Sequence, residues 1–153
     1  MKKKSVLILS LLLLTLAGCS NDDEAELDGY NYVQEFRDEN SKDNFIGTWH
    51  VLHYGNGWGL SEEYEAGAIT VTFTIDGEMK VVNKNEDNRP FPTGTSTYSF
   101  VQIDKSIFTG KPRTTISFNN NRFFLYSYTF DKGYLYLSQE AFDGDGYTLR
   151  KLK

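Results

Sequence analysis

The chain is poor in the residues that usually announce chemistry. One cysteine, Cys19, and two histidines, His50 and His53, occur in 153 residues. A single thiol has no partner within its own chain, so no disulfide framework holds this fold together. His50 and His53 lie three apart in what reads as a strand, where side chains alternate between faces. They are therefore expected on opposite faces, unable to make a two-histidine metal site. The segment "FDGDGY" (142–147) lacks the further acids and closing glutamate of a calcium loop. "GNGWG" (55–59) has no helix behind it to aim amides at a phosphate, and no serine sits in a strand–turn–helix setting. No metal, cofactor or catalytic constellation is expected, so the chain reads as a non-enzyme. There is no basic stripe, which disfavours nucleic acid as a partner. Long apolar runs are missing too. The longest, residues 6–16, is broken by Ser10 and Thr15, well short of the ~20 residues a membrane-crossing helix needs.

That short run is informative in its setting. Lys2, Lys3 and Lys4 precede it, and the small residues Ala17 and Gly18 follow. A basic head, an apolar centre and small residues describe a secretory signal peptide over residues 1–18. The tetrapeptide Leu16-Ala17-Gly18-Cys19 resembles the lipobox of bacterial lipoproteins. The resemblance implies cleavage before Cys19, a diacylglycerol thioether on its sulfur and an acylated new N-terminus. Two or more chains are what stable membrane anchoring requires, so Cys19 is the expected lipid-attachment residue.

Taking away the three lysines of residues 1–18 leaves 13 basic against 21 acidic residues, a net charge of −8. Residues 20–44 carry nine acids and two bases, whereas residues 45–153 carry twelve and eleven. Residues 19–44 thus read as an acidic tether, and the stretch 20–28, which has no periodicity, as disordered. "CSNDDE" resembles the acidic tract that directs surface export in Bacteroidota lipoproteins, with Asn21 where an acid or lysine is usual. That resemblance implies the outer membrane, with the chain displayed at the surface rather than facing the periplasm. Further on, "YNYVQEF" places Tyr32, Val33 and Phe36 at helical spacing. It is either a short amphipathic helix or turn docked on the body, or a plain linker.

From residue 45 the pattern changes to period two. Val71, Phe73 and Ile75 alternate with Thr70, Thr72 and Thr74, the signature of a half-buried strand. Strands are predicted over 45–54, 68–75, 79–83, 95–103, 113–118, 122–130, 134–139 and 147–152. "IDGE" (75–78), "NNN" (119–121), "DKG" (131–133) and "DGDG" (143–146) supply turns between them. Eight sequential strands joined by short turns predict an all-β fold: an eight-stranded antiparallel up-and-down barrel over 45–153, with a short helix allowed before its first strand. Closure removes exposed edges. A two-sheet sandwich is the competing fold. The predicted inward residues are mostly bulky: Trp49, Val51, Val71, Phe73, Ile75, Tyr98, Phe100, Ile116, Phe118, Leu135, Leu137 and Leu149. They imply a largely filled interior with a shallow pocket at one mouth.

Gly47-Thr48-Trp49 in "FIGTWHVL" is similar to the G-x-W motif that opens the first strand of lipocalins. The resemblance implies that Trp49 closes one end of the barrel and that Arg150, the one arginine of the last strand, packs over it. Gly47, Trp49 and Arg150 are then structural residues. The Thr-Asp-Tyr turn and the long C-terminal helix of that family are absent, and the match is better to compact lipocalin-like domains on bacterial lipoproteins.

Two surfaces stand out as candidates for binding. Trp58, among the glycines of the first loop, forms with Tyr54 and Tyr64 an aromatic rim at the barrel mouth, unless Trp58 folds down as a plug. In "RFFLYSYTF" (122–130), both faces are aromatic, and Phe124, Tyr126 and Tyr128 are expected on an outer face. The docked "YNYVQEF" segment either covers that face or leaves it free for a glycan or an envelope protein. The function expected is binding of a small amphipathic or hydrophobic molecule at the mouth. The alternative is an interaction subunit using the outer aromatic face.

Overall fold

A computed structural model describes residues 26–27, 29–39, 41–85 and 89–153. The expected signal peptide, Cys19 and the first part of the expected tether lie outside the described residues. Two short strands, β1 (Glu26–Leu27) and β2 (Tyr30–Asn31), pair with each other ahead of the body, so the stretch expected to be disordered is paired at residues 26–27. A four-residue 3-10 helix, Lys42–Phe45, follows, its first turn capped by the Ser41 hydroxyl. It is the short helix allowed before the first strand.

Eight strands then close into a barrel. They are β3 (Gly47–Asn56), β5 (Ile69–Phe73), β6 (Glu78–Asn83), β7 (Gly94–Ile103), β8 (Arg113–Phe118), β9 (Leu125–Asp131), β10 (Tyr134–Gln139) and β11 (Asp145–Lys151). Each pairs antiparallel with the next, and β11 returns to pair with β3. That last pairing decides for the barrel over the sandwich, since a sandwich leaves both edges open. β4 (Ser61–Glu63) is an addition, folded back on the part of β3 that extends beyond β5.

The period-two pattern is realised as written. Ile69, Val71 and Phe73 are buried while Thr70 and Thr72 are only partly covered. Ile75, counted with the inward residues, is instead 84% exposed. The strand ends at Phe73, and a turn closed by Gly77 N–H donating to the Thr74 carbonyl carries Ile75 out of the sheet. Asn119 and Asn120, and then Lys132 and Gly133, hold the paired positive φ values that tight hairpins require. β9 begins at Leu125 rather than at residue 122, because residues 121–124 form a turn closed by Phe124 N–H on the Asn121 carbonyl.

One end of the barrel is closed by aromatic rings. Phe45, delivered by the 3-10 helix, is fully buried against Phe73, Phe100, Tyr128 and Phe130, with centroids 5.0–5.5 Å away. Trp49 is also fully buried, and its indole N–H donates to the Phe45 carbonyl at 2.9 Å. Gly47 has φ +121°, a conformation open to glycine, and a side chain there would crowd Lys151. The G-x-W motif therefore turns the chain from the helix into β3 and sets the tryptophan at the closed end.

Arg150 does not pack over Trp49, and this corrects the expectation. Leu149 and Lys151 share the inward face of β11, so the residue between them points outward. Arg150 caps the outer wall. It donates to the Lys132 carbonyl at 2.7 Å and to the Gln34 side chain at 3.2 Å, with its guanidinium 4.1 Å from the Tyr134 ring centroid. The cation at Trp49 is Lys151, whose ammonium lies 5.3 Å from the indole centroid and donates to the Asn44 carbonyl at 2.7 Å.

The segment 29–39 is neither a helix nor a free leash. It runs extended beside the end of β11, with Val33 N–H on the Lys151 carbonyl and Lys153 N–H on the Asn31 carbonyl. Tyr32 is 2% exposed, and Phe36 packs against Trp49 and Phe130. Two glycines make room for it: a Cβ on Gly67 would strike the Tyr30 ring, and one on Gly133 would strike the Val33 carbonyl. The folded body thus starts near residue 29, not at Phe45. This strap covers the outer wall at His50 and Arg150 rather than the face of β9.

Candidate functional site

The interior from the closed end to mid-barrel is solid. Val51, Ile69, Val71, Ile116, Leu135, Leu137 and Leu149 are each at most 1% exposed. Toward the far end the aliphatic residues give way to rings, where Tyr54, Phe91, Phe118, Tyr126 and Tyr147 meet beside open space. Tyr54 and Tyr147, opposite each other on β3 and β11, stack at 5.3 Å with 29° between planes. Tyr126 lies 5.9 Å and Phe91 4.7 Å from Tyr147.

A cleft of about 140 Å³ opens at this mouth, lined by Tyr54, Leu60, Glu62, Arg89, Pro90, Asp145 and Tyr147. The Tyr54 hydroxyl donates to Asp145 Oδ1 at 2.8 Å, and Tyr147 reaches Oδ2 at 3.5 Å. The Asp145 N–H is in turn held by the Gln139 side chain at 3.0 Å. A second recess of about 300 Å³ is lined by Met79, Val81, Phe91, Ser96 and Phe118. Phe91 touches Tyr147 on one side and Phe118 on the other, so it stands between the two spaces. Among the described residues, the Ser96 hydroxyl is the one buried side-chain polar atom without a hydrogen-bond partner.

The phenols of the mouth are held protonated. Burial pushes Tyr126 up to about 12, with the Asp145 charge adding to it. Tyr147 is raised further, again first by burial. Tyr54 is raised by burial and then by its hydrogen bond to Asp145. The mouth therefore offers phenolic donors around the Asp145 carboxylate, with ring faces beside them and Glu62 as a second carboxylate at the cleft.

Of the rim residues read from the sequence, the fold brings Tyr54 to the cleft and places Tyr64 next to it. The Tyr64 ring packs on the core and its hydroxyl donates to Glu62 at 2.5 Å. Trp58 is 81% exposed at the tip of the β3–β4 hairpin, which removes the plug alternative, but it does not line the cleft. The outer aromatic face is corrected. Tyr126 is buried in the core at 6% exposure and Tyr128 packs on Phe45 inside the barrel, because they share the inward parity of Phe130. Phe124 sits half exposed in the preceding turn. Loop placement puts Arg89 and Phe91 at the mouth, and alternation in the sequence carries no signal for that; Asp145 opens β11 with the inward parity of Tyr147.

The outer wall carries a different concavity of about 550 Å³. Gly55, Gly146 and Ser138 pair side by side on β3, β11 and β10 to make its floor. Leu60, Phe108, Tyr136 and Phe142 rise around it, each at least 39% exposed. Glu140 fixes the β7–β8 loop that carries Phe108: it accepts from the Ser106 and Ser127 hydroxyls and from Ile107 N–H at 2.8 Å.

The two histidines share the outer face after all. Leu52 has no partner opposite β11, so His50 opposes Arg150 and His53 opposes Thr148, two residues apart on one strand. His50 is buried under the strap with Nδ1 2.8 Å from the Tyr32 hydroxyl, while His53 bonds Ser61. Among the described residues no group of three or more His, Cys, Asp or Glu side chains is arranged to hold a metal.

No family, curated protein or solved structure matches this chain. The closed eight-stranded antiparallel barrel is the architecture that the lipocalin resemblance implies.

Proposed function

We propose that this chain is an outer-membrane lipoprotein, anchored through Cys19 and displayed at the surface, whose barrel mouth binds a small amphipathic molecule. The observation that carries the binding reading is the change of packing along the barrel axis. A filled aliphatic interior ends at an aromatic-walled cleft and recess, with Asp145, Glu62 and Arg89 at the cleft. Apolar walls with a few placed polar groups are the usual makeup of a small-molecule site. The ligand's polar head meets the charged side chains beside the Tyr54 and Tyr147 rings, and its apolar part runs past them toward the recess at Phe91. Titration with the uncharged fluorophore N-phenyl-1-naphthylamine tests this. Saturable enhancement is expected, weakened about tenfold by Tyr54→Ala, the loss of roughly 1.4 kcal/mol of ring contact. Enhancement that Tyr54→Ala leaves untouched would remove the mouth as the site.

The anchor is tested separately. Cys19→Ser should release the chain from membranes into a detergent-free soluble fraction, and retention there would refute the anchor. Protease added to intact cells should shave a surface-displayed chain and spare a periplasm-facing one.

A second reading, an interaction subunit, rests on the outer-wall groove. Exposed apolar patches are uncommon on monomers, and Phe108, Tyr136 and Phe142 converge on one concavity. Phe142→Ser with Tyr136→Ser should abolish co-purification of a glycan or envelope protein while leaving naphthylamine binding intact. Co-purification that survives both substitutions rules the groove out as the contact surface.

A further inference from the structure

We propose that the mouth selects amphiphiles with a cationic ammonium head; the proposal rests on the mouth being the binding site. Three charged side chains line the cleft: Asp145 and Glu62 against Arg89. Each carboxylate is held by a phenol, Asp145 by Tyr54 at 2.8 Å and Glu62 by Tyr64 at 2.5 Å. These donors fix the oxygens in place but bring no positive charge. Among the described residues, no lysine, arginine or histidine makes an ion pair with either carboxylate. Burial also keeps the surrounding tyrosines protonated, so they remain donors and aromatic walls rather than further anions.

An ammonium entering this cleft meets a preset anionic field beside the Tyr54 and Tyr147 rings, whose faces attract cations. A sulfate or carboxylate head would meet two carboxylates against the single guanidinium of Arg89, a net negative lining in a partly desolvated space where like charges repel more strongly than in bulk water. The cleft holds about 140 Å³, which limits it to a compact head. The alkyl tail has the apolar recess beyond Phe91, lined by Met79, Val81 and Phe118, within reach.

Three surfactants with the same tail separate charge selection from mouth binding: octyltrimethylammonium, octyl sulfate and octyl glucoside, titrated calorimetrically below their micellar concentrations. The protein is the chain from residue 19 onward carrying Cys19→Ser, since every contact of the barrel described above lies beyond residue 28. The ammonium should bind at least tenfold more tightly than the sulfate, and the ratio should shrink as salt screens the field. Asp145→Asn, which keeps an acceptor for Tyr54, should bring the ratio toward one. Glu62→Gln is the second variant should Asp145→Asn fail to fold. Sulfate binding as tightly as ammonium, or a preference that survives both variants, overturns the proposal and leaves mouth binding standing. Failure of all three to bind overturns both.

Discussion

Lys151 shows how one side chain can serve two ends of the chain. Its stem crosses the closed end, its ammonium sits over Trp49 and Phe36, and it donates to the Asn44 carbonyl ahead of the first barrel strand. Burial pushes the amine below its ordinary range, so the charge is kept at a desolvation cost that the rings and the carbonyl offset. Lys151→Met retains most of the apolar stem and should cost about 1–2 kcal/mol, the sum of one cation–ring contact and one charged hydrogen bond. Arg150→Met should act elsewhere, loosening the strap at Gln34 and Tyr32 and shifting the emission of Trp49 less than Lys151→Met does. If Arg150→Met shifts that emission and Lys151→Met does not, the assignment of the two cations is wrong. The distinction was legible in the sequence. Leu149 belongs inside by its position in the alternation, and strand parity then puts Arg150 outside.

At the scale of elements, the strap is the part whose form the sequence concealed. Tyr32, Val33 and Phe36 have helical spacing, yet the segment is extended, because the ends of β11 offer unpaired backbone groups and it satisfies them. Deleting residues 29–36 should uncover Trp49, Phe130 and His50 and lower the thermal midpoint markedly. Little change in midpoint would mean the strap contributes no stability. His50 gives the strap a pH dependence. Burial first, and the Lys84 charge second, hold its imidazole below the usual 6.5. The native state therefore takes up its proton later than the unfolded chain does. Stability is full above about pH 6.5 and falls as pH drops from there toward the native value. His50→Gln, which keeps an acceptor for the Tyr32 hydroxyl, should flatten thermal midpoints measured from pH 7 to 5.5, above the carboxylate range. A slope that persists in the variant would place the titrating group elsewhere. Gly133→Ala tests the docking from the other side. The added carbon meets the Val33 carbonyl and strains a φ of +77°, so a loss of about 1–3 kcal/mol is expected in a denaturant melt.

For the whole molecule, the buried phenols dominate the alkaline side. Tyr54, Tyr98, Tyr126, Tyr128 and Tyr147 are all raised above the ordinary 10, burial leading in each case. The unfolded chain loses these protons first. Their contribution is complete below about pH 10 and is lost as pH climbs toward the native values, near 12 for Tyr126. Lys151, lowered from 10.5, works in the opposite direction over part of that range, but it is one group against five. Melting temperature should fall as pH rises from about 10 toward 12, and Tyr126→Phe should lessen the fall. A flat profile would mean these phenols titrate freely in the folded state.

Alternation determined the β class, the eight strands of the barrel and most inward residues, because a half-buried strand must repeat every two residues. Turn chemistry placed the hairpins to within a few residues, since positive φ favours Asn, Asp and Gly. The expected signal peptide and lipid attachment at Cys19 also belong to the sequence. Closure through β3 and β11 needed the tertiary structure, as did the bulge at Leu52 that brings both histidines outward. So did the strap on the outer wall and the meeting of Tyr54, Phe91 and Asp145 at the mouth. These depend on pairings and loop placements between residues far apart in the chain, which no local period encodes.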